Sequence, residues 1–313
     1  MKTPILFIVF KRPDTTSKVF EAIRKAKPLR LYVAADGPAK DTAEELEKIF
    51  QVRNIATAVD WPCEVNTLFS EKNLGCKYNC SKAISWVFER EEQCIVLEDD
   101  LVPIPDFFVF CETLLDYYKN DSRVFAICGS NFNLNNNCNN TGSSYFFSKY
   151  FQPSGWATWR RAWNYYDIKM KFWPEWKLSN DYKKKLPDKL EQKYWKKIFE
   201  AAYKKKIDTW DYAFIFSILR AGALVARSNT NLIRNIGFGK DATHTTDVRD
   251  EFMNIPVKEI MGDSFVHPNK VEQDKSEDYY MFYYPFRGRY YSTINLPKRI
   301  IKFFFRKFLS LFN

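Results

Sequence analysis

The sequence predicts an α/β protein: a mostly parallel sheet with helices on both faces. Three observations predict it. Four short strand-like runs in the first hundred residues, Pro4 to Phe10, Leu31 to Ala35, Glu64 to Phe69 and Cys94 to Leu97, are separated by stretches long enough for a helix. Those stretches carry helix-start residues and apolar side chains at helical spacing. Charged residues that neither pattern explains fall just after the strands, where ligands bind in parallel sheets.

The elements follow in order. Pro4 to Phe10 is continuously apolar, as a strand covered on both faces must be. Asp14-Thr-Thr-Ser17 supplies capping side chains, and Val19, Phe20, Ile23 and Ala26 then recur at helical spacing. Leu31 to Ala35 ends in the turn signal Asp36-Gly37-Pro38. Thr42 and Glu45 form a capping box that opens a helix through about Ala56. After the strand Glu64 to Phe69, Asn73-Leu-Gly75 breaks the chain, and Cys80, Ala83, Ile84, Val87 and Phe88 mark one face of a helix. Beyond the fourth strand, Pro105 sits in the first turn of a helix carrying Phe107, Phe110, Leu114 and Tyr118. Val124 to Cys128 is another buried strand, followed by an Asn-rich loop, Asn131 to Ser144, long enough for a lid or a disordered insertion. Trp159 and Trp163 stand four apart, as on a helix; residues 176 to 206 are Lys-rich and helical with a solvated face; Ala223 to Ala226 is a short strand.

The chemistry gathers around Glu98-Asp99-Asp100. Three carboxylates at one strand end repel one another by about a kcal/mol per pair even in a wet site. A hard divalent ion, Mn2+ or Mg2+, completed by water and substrate phosphate, would relieve that repulsion; an ordinary acidic turn is the plain alternative. Lys11, Arg12, Asp36, Lys72 and Asn73 fall on the same rim. Asp208-Thr-Trp210-Asp211-Tyr212 opens an apolar helix, whose dipole favours an ionised carboxylate of the kind a general base needs; for Asp208 an N-cap is the preferred reading. In Asn235-Ile-Gly237-Phe-Gly239-Lys240-Asp241-Ala-Thr243-His244, two glycines allow close backbone approach, and His244 can reach a metal or a phosphate. The rings of Trp156 and Trp159 offer either core packing or a platform for a sugar acceptor.

Composition sets the outer bounds. A chain of 313 residues suits one enzyme-sized unit, and its net charge of +10 suggests an anionic partner. Seven cysteines without zinc spacing, Cys76 and Cys80 among them, read as core fillers in a reducing compartment. Ile5 to Phe10 is too short and wrongly flanked for a signal peptide, and no run is long enough to cross a bilayer, so a cytoplasmic location is expected. In the last segment, Leu296 to Asn313, Arg299, Lys302 and Arg306 stripe an otherwise Phe- and Ile-rich helix. That pattern suits an amphipathic helix lying on an anionic membrane surface, hence a peripheral place on the inner face of the cell membrane; docking on the protein or pairing in a dimer are the alternatives.

In this order, Lys11-Arg12-Pro13, Ala35-Asp36-Gly37, Asn73-Leu-Gly75, Ile95-Val-Leu-Glu98-Asp99-Asp100-Leu, Pro105-Asp106-Phe107-Phe108, Gly155-Trp156, Trp210-Asp211 and Gly237-Phe-Gly239 through His244 resemble the GT-A nucleotide-sugar glycosyltransferases, specifically the group akin to N-acetylglucosaminyltransferase I and its bacterial relatives. The resemblance implies a GT-A, Rossmann-like domain over residues 1–245, with a nucleotide-binding half (1–100) and an acceptor half (101–245); an extension (246–295) and the amphipathic helix (296–313) follow it. It implies that Arg12 and Asp36 contact the nucleotide base or its neighbouring groups, that Glu98 and Asp99 face donor sugar and ribose, and that Asp100 binds the metal. Asp211 corresponds to the catalytic base, although Tyr212 stands where relatives carry a second acid. Lys72 or His244 would add positive charge at the leaving diphosphate. The expected partners are a nucleotide-sugar donor, probed first as UDP-sugars, a glycan or lipid-linked acceptor and an anionic membrane, with no nucleic acid. A sugar-nucleotide pyrophosphorylase would carry a Gly-rich loop where Lys11-Arg12-Pro13 stands. A non-enzymatic basic membrane-surface or nucleic-acid binder would have no use for three aligned acids.

Overall fold

A computed structural model of the chain describes residues 1–133, 142–237, 255–260 and 265–288. The first half alternates as the sequence predicts: β1 (Ile5–Val9), α1 (Pro13–Ala26), β2 (Arg30–Ala35), α2 (Ala43–Thr57), β3 (Glu64–Phe69), α3 (Gly75–Phe88) and β4 (Gln93–Glu98). A short β5 (Leu101–Pro103) leads into α4 (Pro105–Tyr117), β6 (Val124–Cys128), β7 (Tyr145–Ser148) and β8 (Trp156–Trp159). Then come α5 (Arg160–Trp163), α6 (Trp173–Trp176), α7 (Asn180–Lys185), α8 (Lys189–Tyr203), α9 (Asp211–Ala221), β9 (Leu224–Ser228), β10 (Ile233–Asn235) and α10 (Lys275–Tyr283).

Eight strands form one sheet in the order β3-β2-β1-β4-β8-β6-β9-β7. The first four are mutually parallel, β9 is parallel to β6, and β8 and β7 enter antiparallel. Register decides the position of the site. Val9 lies opposite Ala35 and Ile8 opposite Glu98, so the residues that follow β1, β2 and β4 emerge side by side on one edge. Helices α1, α2 and α4 cover one face, through Val19, Phe20, Ile23, Val52, Phe107 and Phe110; α3 and α8 to α10 cover the other, through Ile84, Trp195, Phe199, Phe214 and Phe282. Period-two alternation feeds both cores: Leu6 and Ile8 join one, Ile5, Phe7 and Val9 the other.

Local structure departs from expectation in three places. Thr42 caps α2 by accepting from the Glu45 N–H at 3.3 Å, but the Glu45 carboxylate does not return the bond. It accepts instead from Ala39 and Lys40 N–H at 2.6 and 3.1 Å and pairs with Lys11 at 2.9 Å, tying the loop after β2 to the start of α1. Trp159 and Trp163 do not share a helix, because Trp156–Trp159 is a strand between β4 and β6 and only Arg160–Trp163 turns helically. The Lys-rich stretch is helical, yet α8 buries a full apolar stripe, Tyr194, Trp195, Phe199 and Ala202.

The chain returns to the sheet through α10, held by two buried acids. Glu277 accepts from Asn133 at 3.1 Å; Asp278 accepts from Ser148 Oγ at 2.5 Å and Gln273 Nε2 at 2.6 Å. Burial raises the Asp278 carboxyl from its ordinary 3.8 to about 6 against the opposing pull of Ser148 and Lys149. Between those values the folded protein keeps a proton that the unfolded chain has released. This group's contribution is therefore complete below the unfolded pKa and declines as pH rises through about 6. Stability is expected to fall across that window by at most about 3 kcal/mol on its account, and Asp278→Asn to flatten the slope; urea unfolding of both proteins from acid to neutral pH checks this, and an unchanged slope would refute it.

Candidate active site

The acids occupy the edge where β4 ends, and each is held differently. Asp99 is buried: its carboxylate takes the Arg12 guanidinium and the Phe10 N–H at 3.3 Å. Burial is the largest influence on it and outweighs Arg12, leaving its carboxyl up at about 6. Arg12 also bonds Asp100 Oδ2 at 2.8 Å, and the two acids together raise its pKa although burial alone would lower it. Asp100 is partly exposed, and its Oδ1 makes no hydrogen bond among the described residues. Gly237 passes so close that a Cβ there would stand 1.9 Å from Asp100 Oδ2, and Ile236 N–H bonds the Asp100 carbonyl at 2.8 Å. Glu98 is half-buried and without a hydrogen-bond partner among the described residues; burial first, then the charges of Asp100, Cys76, Asp99 and Asp211, push its carboxyl far up.

Asp211 reaches this group from the other half of the chain. It is the first residue of α9, and the Thr209 hydroxyl donates to its Oδ1. Its charge reaches both Glu98 and the Tyr166 hydroxyl, in each case as a lesser influence than burial. Asp208 has another task. Its expected position at the N-cap of its own helix is held by Trp210; Asp208 instead accepts from the Lys77 N–H at 3.2 Å, in the first turn of α3. There Gly75, at φ +78, leaves 3.0 Å between a Cβ and Asp208 Oδ2, so only glycine fits both the backbone angle and the space.

Asp36 shares that helix terminus. Rather than presenting its carboxylate to a base, it is buried and accepts from the N–H groups of Gly37, Leu74 and Gly75 at 2.9, 2.8 and 3.0 Å. Two acids from distant segments thus fill the N-terminus of α3 that would otherwise attract a phosphate. Asn73 Nδ2 adds a bond to the Gly37 carbonyl at 2.8 Å, and Lys72 beside it is exposed on the rim. Lys77 was not anticipated. Its ammonium is buried 3.5 Å from the Ala202 carbonyl at the end of α8, and burial lowers its pKa despite Asp208. A lysine in a helix's first turn gives no sequence signal for this role.

The aromatic platform is corrected. Trp156 and Trp159 are three apart on a strand and so point to opposite faces of the sheet; both are buried, at 0% and 3% exposure. Trp156 stacks on Trp210 with centroids 5.4 Å apart, and Trp159 donates to the Leu115 carbonyl at 3.0 Å. Trp156→Ala is expected to cost about 3–5 kcal/mol of stability without raising the acceptor KM of the folded enzyme; a higher KM at unchanged stability in denaturant titration would restore the platform. His244 lies outside the described residues, as do Gly239 to Thr243, most of the Asn-rich loop and the terminal helix 296–313.

Among the described residues no three His, Cys, Asp or Glu side chains converge on a metal position. The oxygen chemistry nonetheless fits a hard ion held by one carboxylate, with the rest of its shell from water and phosphate, because Asp100 engages Arg12 through Oδ2 and its Oδ1 has no hydrogen-bond partner among the described residues.

The mostly parallel α/β sheet with helices on both faces is a fold of the GT-A type. The model of the GNT-I family matches residues 2–187, and the chain belongs to that family; it is a glycosyltransferase with a nucleotide-sugar donor. No curated protein matches the sequence. Among solved structures it is similar to mouse xyloside xylosyltransferase 1 in its apo form (10% identity, TM-score 0.34, 70% of this chain and 81% of that one). It is also similar to a UDP-glucose pyrophosphorylase complexed with UDP-glucose (9%, 0.28, 53% and 79%) and to HddC from Yersinia pseudotuberculosis (8%, 0.30, 51% and 77%).

Proposed function

We propose that the enzyme moves a hexose-type sugar from a UDP-sugar to a glycan or lipid-linked acceptor, with inversion and with Mn2+ or Mg2+, in surface polysaccharide or lipopolysaccharide synthesis. What supports this is one juxtaposition: the acids after β4 and Asp211 at the start of α9 share one edge of the sheet. Asp100 is the residue that would hold the ion, with His244 as a second candidate; when bound, the ion supplies charge stabilisation to the leaving diphosphate.

The chain's own residues do the rest. Arg12 keeps Asp99 and Asp100 at the edge in spite of their mutual repulsion, and Glu98 faces the donor sugar. Asp36 and Asn73 fix the loop before α3 against the end of β2, so that the nucleotide meets a rigid wall, with Lys72 at its rim. Asp211, oriented by Thr209 at the start of α9, takes the proton of the acceptor hydroxyl as that oxygen attacks the anomeric carbon. Attack from the face opposite the diphosphate inverts the centre in one displacement.

Melting the protein with a panel of nucleotide sugars, with and without Mn2+, is the test. A stabilisation of several degrees by UDP-sugars that needs the ion is expected, from RT ln(1 + [L]/Kd) at saturating ligand. A shift with nucleic acid alone would remove the reading.

A further inference from the structure

We propose that the lysine face of α8, with the neighbouring α6–α7 surface, is a docking site for an anionic phospholipid bilayer. Between residues 169 and 206 eleven of the lysines are exposed, against two exposed acids, Glu175 and Asp188. Asp188 is already engaged as the N-cap of α8, accepting from Leu190 and Glu191 N–H at 2.7 and 2.9 Å. The solvent side of α8 runs Lys189, Lys193, Lys196, Lys197, a single row at helical spacing, while the opposite side is built into the core. Like charges three and four residues apart repel and weaken the helix they stand on. The burial of Trp195 and Phe199 holds the helix regardless, so the row is a concentrated positive field that the fold carries at some cost.

Two apolar side chains decide what kind of polyanion fits. Leu178 is 74% exposed and Phe172 39% exposed, flanking α6 within the same lysine-rich stretch of sequence. The Phe172 ring is flanked by the Arg220 guanidinium at 4.1 Å and the Lys171 ammonium at 5.0 Å from its centroid. A ring among cations beside a bare leucine matches the headgroup level of a membrane, where apolar tips enter the acyl boundary and lysines meet lipid phosphates. A phosphate polymer in solution has no use for the leucine. No helix among the described residues is long and apolar enough to cross a bilayer, so the contact is at the surface. On its buried side α8 packs against α3, where the Ala202 carbonyl meets the Lys77 ammonium.

The test is co-sedimentation of the full chain with vesicles of phosphatidylcholine alone and of phosphatidylcholine with about one third phosphatidylglycerol, over a salt series. Binding only to the anionic vesicles, weakening with salt, is expected. Lys193→Glu, Lys196→Glu and Lys197→Glu combined should lower the partition about tenfold or more. Leu178→Ser should lower it severalfold with the salt slope unchanged. All four positions are exposed, so melting temperature should not fall. Binding undiminished in the triple variant would overturn the proposal and assign any membrane contact to another part of the chain; equal binding to both vesicles, or to neither, would overturn it as well.

Discussion

Asp100→Ala is expected to cut glycosyl transfer by about 10³-fold while leaving the protein folded. The fold survives because Arg12 keeps its bond to the buried Asp99, so what is lost is one of its two carboxylate partners. The remaining acids are relieved: with Asp100 gone, the largest of the charges that push the Glu98 carboxyl up disappears, leaving burial and the charges of Cys76, Asp99 and Asp211. Melting temperature should therefore change little. Dependence on added Mn2+ should vanish together with the rate. Full activity with a normal divalent-ion requirement would reject Asp100 as the metal residue, and with it the reading of the triplet.

The second large effect belongs to Asp211. Asp211→Asn keeps the Thr209 hydrogen bond and the start of α9 but removes the base, so kcat should fall by about 10²–10⁴-fold with donor affinity unchanged in calorimetry. Asp208→Asn should behave differently. Its amide oxygen can still accept from Lys77 N–H, and the main loss is the attraction of a full charge to the α3 dipole, about 0.3–1 kcal/mol of local stability. Should Asp208→Asn abolish turnover and Asp211→Asn leave it, the roles of the two acids are exchanged.

Strand and helix positions along the first hundred residues were legible, because β1, β2 and β4 are buried on both faces and read as continuously apolar, while each helix shows its buried stripe at 3.6-residue spacing; the edge strand β3, Glu64–Phe69, is largely exposed and mixed in character. The acidic triplet was legible for the same reason: nothing in packing calls for three carboxylates after Leu97. Trp156 and Trp159 misled. Two tryptophans four apart, 159 and 163, imitate a helix face, and only the pairing of Ala157 with Ile95 on one side and Ile127 on the other shows that Trp159 ends a strand. Asp36 was found but not its task, since its partners Leu74 and Gly75 are almost forty residues away.

What the sequence alone determined is the kind of scaffold and the chemistry at its edge: short-range spacing encodes secondary structure, and side-chain type encodes which groups can hold a hard cation or move a proton. What only the tertiary structure decided is which like-looking residues do which work. Asp36 and Asp208 became anchors for one helix terminus, Asp211 joined Glu98, and the indoles sank into the core. The physical reason is that burial, hydrogen-bond partners and electrostatic neighbours are set by contacts between segments far apart in the chain, which no local pattern records.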